Sequence, residues 1–325
     1  RPHCLNHSRQ RSSCVFGFGK GKNSTPLDTL LWYLFMERIL FSMMTSSPCC
    51  VFFIINSTIL FLLRSKPVFS QCPRYVLLFN LVLADTVLIA QGQALYLLAM
   101  FDVWISYPLC GCFAMVSQLT NQISPYVLIF MSLERCVAVC FPFRHCTLVT
   151  LRNTFIIVFL IWTVASFNVL TQLPDLQMRV FCSTFSMHLG PKSYEYDTIY
   201  TYVLFTLSAL VISCSFVGVM VVACLASGDR AQAEKTRYTL LLHLFQLGLN
   251  LLSMMQVHFF VAVAQCCRSK RLLDVVYVCV YVCVVLMPRC LSALTYGLRD
   301  PTLRPALGTH LCCRLPKYRH YSVCV

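Results

Sequence analysis

Asp85 and Arg289 have the most informative settings in the chain. Each is the single charge of its sign deep inside a long apolar run, and an ionisable group held away from water is costly unless it meets a partner or a water-filled cavity. The two are expected to face each other; the alternative is an Arg289 side chain that snorkels to headgroups or water. A second pair, Glu134 and Arg135, closes an apolar stretch that opens at Cys110. A helix from Cys110 to Glu134 rises about 36 Å at roughly 1.5 Å per residue, enough to cross a hydrocarbon core of about 30 Å. The cysteine then lies at one membrane face and the Glu-Arg pair at the other, where it stays hydrated; its plainest reading is a snorkelling pair at a helix end. His243 and His258 share one run about 22 Å apart at 1.5 Å per residue, too far to ligate one haem iron. No catalytic triad, phosphate loop or metal cluster is present in the sequence. The expectation is therefore not an enzyme, with no cofactor and no metal.

Composition requires lipid around the elements that position these residues. The 325 residues are 58% hydrophobic and 12% charged, with a mean hydropathy of +0.70, too little polar surface to cover a soluble globule. A net charge of +14 in a soluble chain points to nucleic acid. Here Lys and Arg fall mostly in short connections between apolar runs, a pattern of membrane orientation, and no nucleic-acid partner is expected. The 21 cysteines are scattered without the paired spacing of a zinc site and read mostly as small hydrophobes between helices.

Seven apolar runs of spanning length follow one another at about 39–63, 75–101, 109–140, 152–174, 196–226, 237–264 and 273–297. The connections 64–74, 144–152 and 230–237 and the tail from Arg299 carry Lys or Arg. The connection 101–109 carries none, and 175–197 mixes signs. An odd number of spans with this asymmetry predicts an all-α membrane protein, a seven-transmembrane helix bundle, with the N-terminus extracellular and the C-terminus cytoplasmic. Arg268, Lys270, Arg271 and the basic N-terminus run against the rule. The domains are then an extracellular segment 1–38, the bundle 39–297, and a cytoplasmic tail 298–325 with a short surface helix around 299–307. The first span is expected to act as its own insertion signal. Pro48, Pro125 and Pro288 lie inside spans and permit kinks; the sixth run has no proline, so no hinge is expected there. Asn6 and Asn23 head glycosylation tripeptides, and Cys312 and Cys313 beside Arg314 are candidate palmitoylation sites.

The phrase from Met131 through Glu134, Arg135 and Cys136 to Pro142 resembles the Asp/Glu-Arg-Tyr region of rhodopsin-like (class A) G-protein-coupled receptors, in its olfactory-receptor version. Arg64-Ser65-Lys66-Pro67-Val68-Phe69 and the single cysteine between spans four and five resemble the fish-type odorant receptors, the 131-2-like group. The resemblance implies a Cys110–Cys182 disulfide, two unpaired thiols being the alternative. It implies a switch in which Glu134 holds Arg135 at rest, and a polar core of Asn56, Asp85, Ser124 and Ser292 around a cation. Arg289 matches a position lining that core, and its guanidinium is expected to take the cation's place. Tyr296 is kept from the family's Asn-Pro-x-x-Tyr, with Ser292 and Ala293 at the Asn and Pro positions. Trp162 matches the family's fourth-helix tryptophan.

For a ligand, one face below Cys110 offers Ser117, Gln118, Asn121 and Gln122. Spans six and seven offer Met254, Met255, His258, Tyr277 and Tyr281, with plain helix packing as the alternative for each. Apolar walls with a few amides and hydroxyls suit a small, mostly neutral molecule, and no acid stands near Ser117 to take an amine. The leading function is a plasma-membrane odorant receptor with three partners: a small-molecule odorant, a heterotrimeric G protein at the cytoplasmic face, and the lipid bilayer. The alternatives are a peptide, lipid or nucleotide ligand meeting the Arg268 cluster, or a non-receptor transporter. A transporter is expected to show two halves with broken helices.

Overall fold

A computed structural model describes residues 26–65, 67–101, 103, 105–172, 176–178, 187–189, 191–226, 241, 244–245, 247–266, 270–289, 291, 294–295 and 303–311. Its helices are α1 (Pro26–Ser65), α2 (Pro67–Ser70), α3 (Pro73–Met100), α4 (Tyr107–Cys140), α5 (Pro142–Leu148), α6 (Leu151–Gln172) and α7 (Pro191–Ala226). After a helical stretch at 247–252 and a 3-10 turn at Ser253–Met255 come α8 (Gln256–Cys266), α9 (Lys270–Val280), a π-helical segment at Tyr281–Leu286, and α10 (Leu303–Leu311). Proline opens α1, α2, α3, α5 and α7. It lacks an N–H and has its φ preset, so it fits a first turn whose N–H groups have no intrahelical acceptor.

Two units separate along the chain, residues 1–40 and 41–325. In the first, residues 26–40 are helical with Trp32, Tyr33 and Phe35 exposed, and the rings of Trp32 and Phe35 lie 6.2 Å apart. In the second, α4 packs against α3, α6 and α7 and forms the axis of the bundle. Its core joins Leu78, Leu81, Ile123, Val127, Leu128, Ile161 and Ala165. The outside is apolar too: Phe155, Phe159 and Phe167 on α6 and Ile199, Val203, Leu210 and Val217 on α7 are exposed. Apolar faces of that extent are unsuited to water and match a lipid surround.

Five helices are long and apolar enough to cross a membrane: Phe35–Ser65, Pro73–Leu98, Pro108–Cys140, Leu151–Thr171 and Glu195–Val222. The chain is a multi-pass helical membrane protein. The sixth and seventh expected runs are helical where described but are interrupted, and the apolar helix Val278–Arg289 is shorter than a full span.

The sixth run, which has no proline and where no hinge is expected, is not a uniform α-helix. The ladder tightens at Ser253–Met255 without a proline, where Ser253 Oγ donates to the carbonyl of Asn250 at 2.6 Å; a hydroxyl bonded back to its own helix disturbs the ladder in this way. The all-α expectation gains one exception, a two-stranded antiparallel hairpin pairing Leu176 with Leu189 and Met178 with Met187. The short tail helix runs over Leu303–Leu311, later than expected, and it is held by Leu303 and Leu307, both fully buried in the core that also contains Phe69, Cys72 and Tyr75.

Candidate functional site

Arg289 is 1% exposed and is among the largest fully buried side chains of the described residues. Its Nη1 forms an ion pair with Asp85 Oδ1. The rest of the guanidinium is shared among three more acceptors: Ser124 Oγ at 3.4 Å, Asn121 Oδ1 at 3.3 Å and Ser253 Oγ at 3.2 Å. Ser124 in turn donates to Asp85 at 2.7 Å. One cation thus ties α3, α4, the 3-10 turn of the sixth run and the end of the seventh. The π-helical segment Tyr281–Leu286 lies just upstream of Arg289; such insertions re-aim the side chains that follow and concentrate at functional positions. A charge pair this deep is stable only if its geometry is good and its remaining hydrogen-bonding groups are met, because desolvation offsets most of the Coulomb attraction.

Of the expected polar core, Asp85, Ser124 and Arg289 are therefore in contact. Asn56 is fully buried beside them, but its amide donates to Thr86 Oγ1 at 2.8 Å. Ser253 and Asn121 were not anticipated as members; Asn121 had been placed with the ligand residues. The signal for Asn121 was available, since 121 and 124 are three apart on one helix face. Ser253 depends on the 3-10 turn, which the sequence did not predict. Trp162 Nε1 donates to Asn80 Oδ1 at 3.1 Å, joining α6 to α3.

The other ligand candidates divide among different surroundings. Gln118 Nε2 donates to Asp197 Oδ1 of α7 at 2.8 Å. Gln122 is 5% exposed, one turn further along α4. Ser117 is half-buried, and its carbonyl accepts Thr120 Oγ1 at 3.1 Å. Met254 is packed with Leu204 and Leu251 against Tyr126 and Tyr200, Met255 is half-buried, and His258 stacks on Tyr202 with ring centroids 5.3 Å apart. Tyr281 packs with Cys49, Phe52, Ile89 and Leu286, away from this group. A Cβ built on Gly92 would come 3.1 Å from its hydroxyl, so glycine permits that approach. Tyr277 lies in α9.

The expectation that no acid stands near Ser117 is corrected. Asp197, bonded to the adjacent Gln118, comes from α7, which begins at Pro191; in the sequence it falls where the connection 175–197 overlaps the run 196–226.

At the other end of α4, Glu134 Oε1 lies 3.5 Å from Nε2 of His145 in α5. The imidazole is brought close to Glu134 because α5 follows α4 directly at Pro142. Arg135 lines a shallow, mostly apolar cleft with Ser132, Ile212, Ser215, Phe216, Val219, Leu244 and Leu247, between α4, α7 and the sixth run. Cys110 is disulfide-bonded, as is Cys72. Cys182, Ser292, Tyr296, Cys312, Cys313, Asn6 and Asn23 lie outside the described residues. Among the described residues no group of three or more His, Cys, Asp or Glu is placed to hold a metal ion.

No protein-family model matches the chain. It is similar to "Odorant receptor 131-2" of Danio rerio, 26% identical over 269 residues, which cover 80% of this chain and 82% of that protein.

Proposed function

We propose that this chain is an odorant receptor of the rhodopsin-like class, in the 131-2-like group. It crosses the plasma membrane seven times over 39–297, with segment 1–38 outside and tail 298–325 in the cytoplasm. It is not an enzyme. A small molecule with a mostly apolar body enters the outer half of the bundle among Gln118, Gln122, Met254, Met255 and His258, and a heterotrimeric G protein exchanges nucleotide at the inner end. The similarity to an odorant receptor over four-fifths of the chain supports a receptor-type function.

The observation that carries the reading is the Arg289 network, which links the ligand-bearing α4 to the sixth and seventh runs through Asn121, Ser124 and Ser253. Ligand binding that moves either side changes the geometry at Arg289. The two arrangements then differ in how well they satisfy a buried cation, which is what a two-state switch requires. At the inner end, Arg135 on its cleft and Glu134 beside His145 are placed to respond when α4 and the sixth run separate, with Tyr296 as a further switch residue. With Arg289 in place of a free cation, the response is independent of sodium. The Cys110–Cys182 bond, palmitoylation at Cys312 and Cys313, and glycosylation at Asn6 and Asn23 belong to the same reading.

The test is expression with a promiscuous G protein and a screen of small water-soluble and volatile compounds. Ligand-dependent signalling in the wild type and its loss in Arg135→Ala are expected; a normal response from Arg135→Ala would overturn the switch.

A further inference from the structure

Cys136 and Cys140 are four residues apart at the end of α4, so helix geometry sets them one above the other on one face. Their Sγ atoms lie 3.9 Å apart. Both thiols are free and half-buried, so neither is sealed in the core. The residue facing them from α7 is Gly218. A Cβ built there would stand 3.6 Å from Cys136 Sγ and 3.7 Å from Cys140 Sγ. These two distances nearly equal the separation of the sulfurs, so that Cβ would sit over the middle of the line joining them. Any other residue would close this side of the pair; glycine leaves it open.

Two thiols so placed can chelate. Metal–sulfur bonds of about 2.3 Å each reach an ion between sulfurs 3.9 Å apart. On the α7 side such an ion would fall well inside contact distance of a Cβ, in the space that Gly218 leaves. The donor set then selects the ion. Thiolate is a soft ligand, which excludes calcium and magnesium. Structural zinc takes four protein ligands, and among the described residues no group of three or more His, Cys, Asp or Glu is formed. Cuprous ion is satisfied by two thiolates. Each thiol gives its proton to water as its sulfur bonds the ion, so one Cu(I) replaces two protons and neither copper nor sulfur changes oxidation state. The product carries one negative charge, and this end of the chain's path through α4, α5 and α6 carries Arg135, Arg144 and Arg152.

We propose that Cys136 and Cys140 form a cuprous-ion site on α4, seated against Gly218 of α7. The ion braces the last turn of α4, beginning one residue beyond Arg135. In the orientation proposed above this end faces the cytosol, where thiols stay reduced. The site itself does not depend on the receptor reading, because its test reads metal and not signalling.

The experiment uses the full chain in lipid nanodiscs, reduced and kept anaerobic. Cu(I) is supplied as its bicinchoninate complex, and uptake is read from the loss of that complex's colour. Other thiols of the chain also take up Cu(I), so each variant is read as a difference from wild type. Cys136→Ser, Cys140→Ser and the double variant are each expected to hold one ion fewer than wild type. The double loses no more than either single, because one sulfur alone does not retain the ion. Gly218→Ala keeps both thiols, and its methyl meets them at ordinary contact distance, so it folds as wild type while affinity at this site falls about tenfold. This variant carries the test if a serine variant fails to fold. Equal uptake by wild type and the double variant would overturn the site. Losses in the singles that add up in the double would mean two independent thiols and would overturn the chelate. Undiminished binding in Gly218→Ala would overturn the seat against α7.

Discussion

The α4 helix carries two polar layers with opposite accounting. In the inner layer, Asp85, Asn121, Ser124 and Ser253 converge on Arg289, and four acceptors meet one cation at 1% exposure. In the layer nearer Cys110, Asp197 and Gln122 supply acceptors, and Gln122 Oε1 has no donor. The inner layer closes around a buried cation and ties four segments together, whereas the outer layer joins α4 to α7 through single hydrogen bonds. The inner layer therefore depends on one buried charge pair, and the outer one does not.

The largest effect expected from breaking that contrast is at Arg289. Arg289→Ala strands the Asp85 carboxylate in the core and costs about 3–5 kcal/mol, seen as loss of thermal stability in detergent and of surface expression. Replacing both partners, Asp85→Leu with Arg289→Met, returns most of that stability, since an apolar pair of similar volume removes the desolvation problem. Gln118→Leu is the counterpart in the outer layer: it removes the hydrogen bond to Asp197 and costs about 1 kcal/mol in a detergent melting curve. Trp162→Phe removes one hydrogen bond to Asn80 and costs about 1 kcal/mol without changing ligand selectivity. Gly92→Ala has the smallest effect. Its methyl meets the Tyr281 hydroxyl at 3.1 Å, a crowding that offsets the roughly 1 kcal/mol gained in helix propensity, so a melting curve shows little net shift.

The inner layer was legible in the sequence because charge at membrane depth is rare enough to be conspicuous, and an acid and a base alone in apolar runs have few other partners. The five long helices were legible for a related reason: hydropathy over a spanning length leaves little choice of structure. Asp197 was not legible as a site residue. Hydropathy ends a span where polar residues begin, but a helix continues into water, and α7 opens at Pro191, ahead of the expected 196. Asp197 falls where the connection 175–197 and the run 196–226 overlap, and its bond with Gln118 is a contact between helices that hydropathy does not give. Ser253 was missed because the sixth run was searched for proline, whereas its 3-10 turn falls at a serine bonded back to Asn250. Asn121 was assigned to the ligand because periodicity gives the face of a helix and not the depth at which a long side chain from the seventh run arrives.

The most direct test is guanine-nucleotide exchange by a heterotrimeric G protein incubated with the purified chain in lipid nanodiscs, with and without the small water-soluble and volatile compounds of the cell screen. Exchange accelerated by at least one of these compounds with the wild type, and unchanged with Arg135→Ala, is the predicted result. Wild-type protein that leaves exchange at the rate of empty nanodiscs with every compound would contradict it.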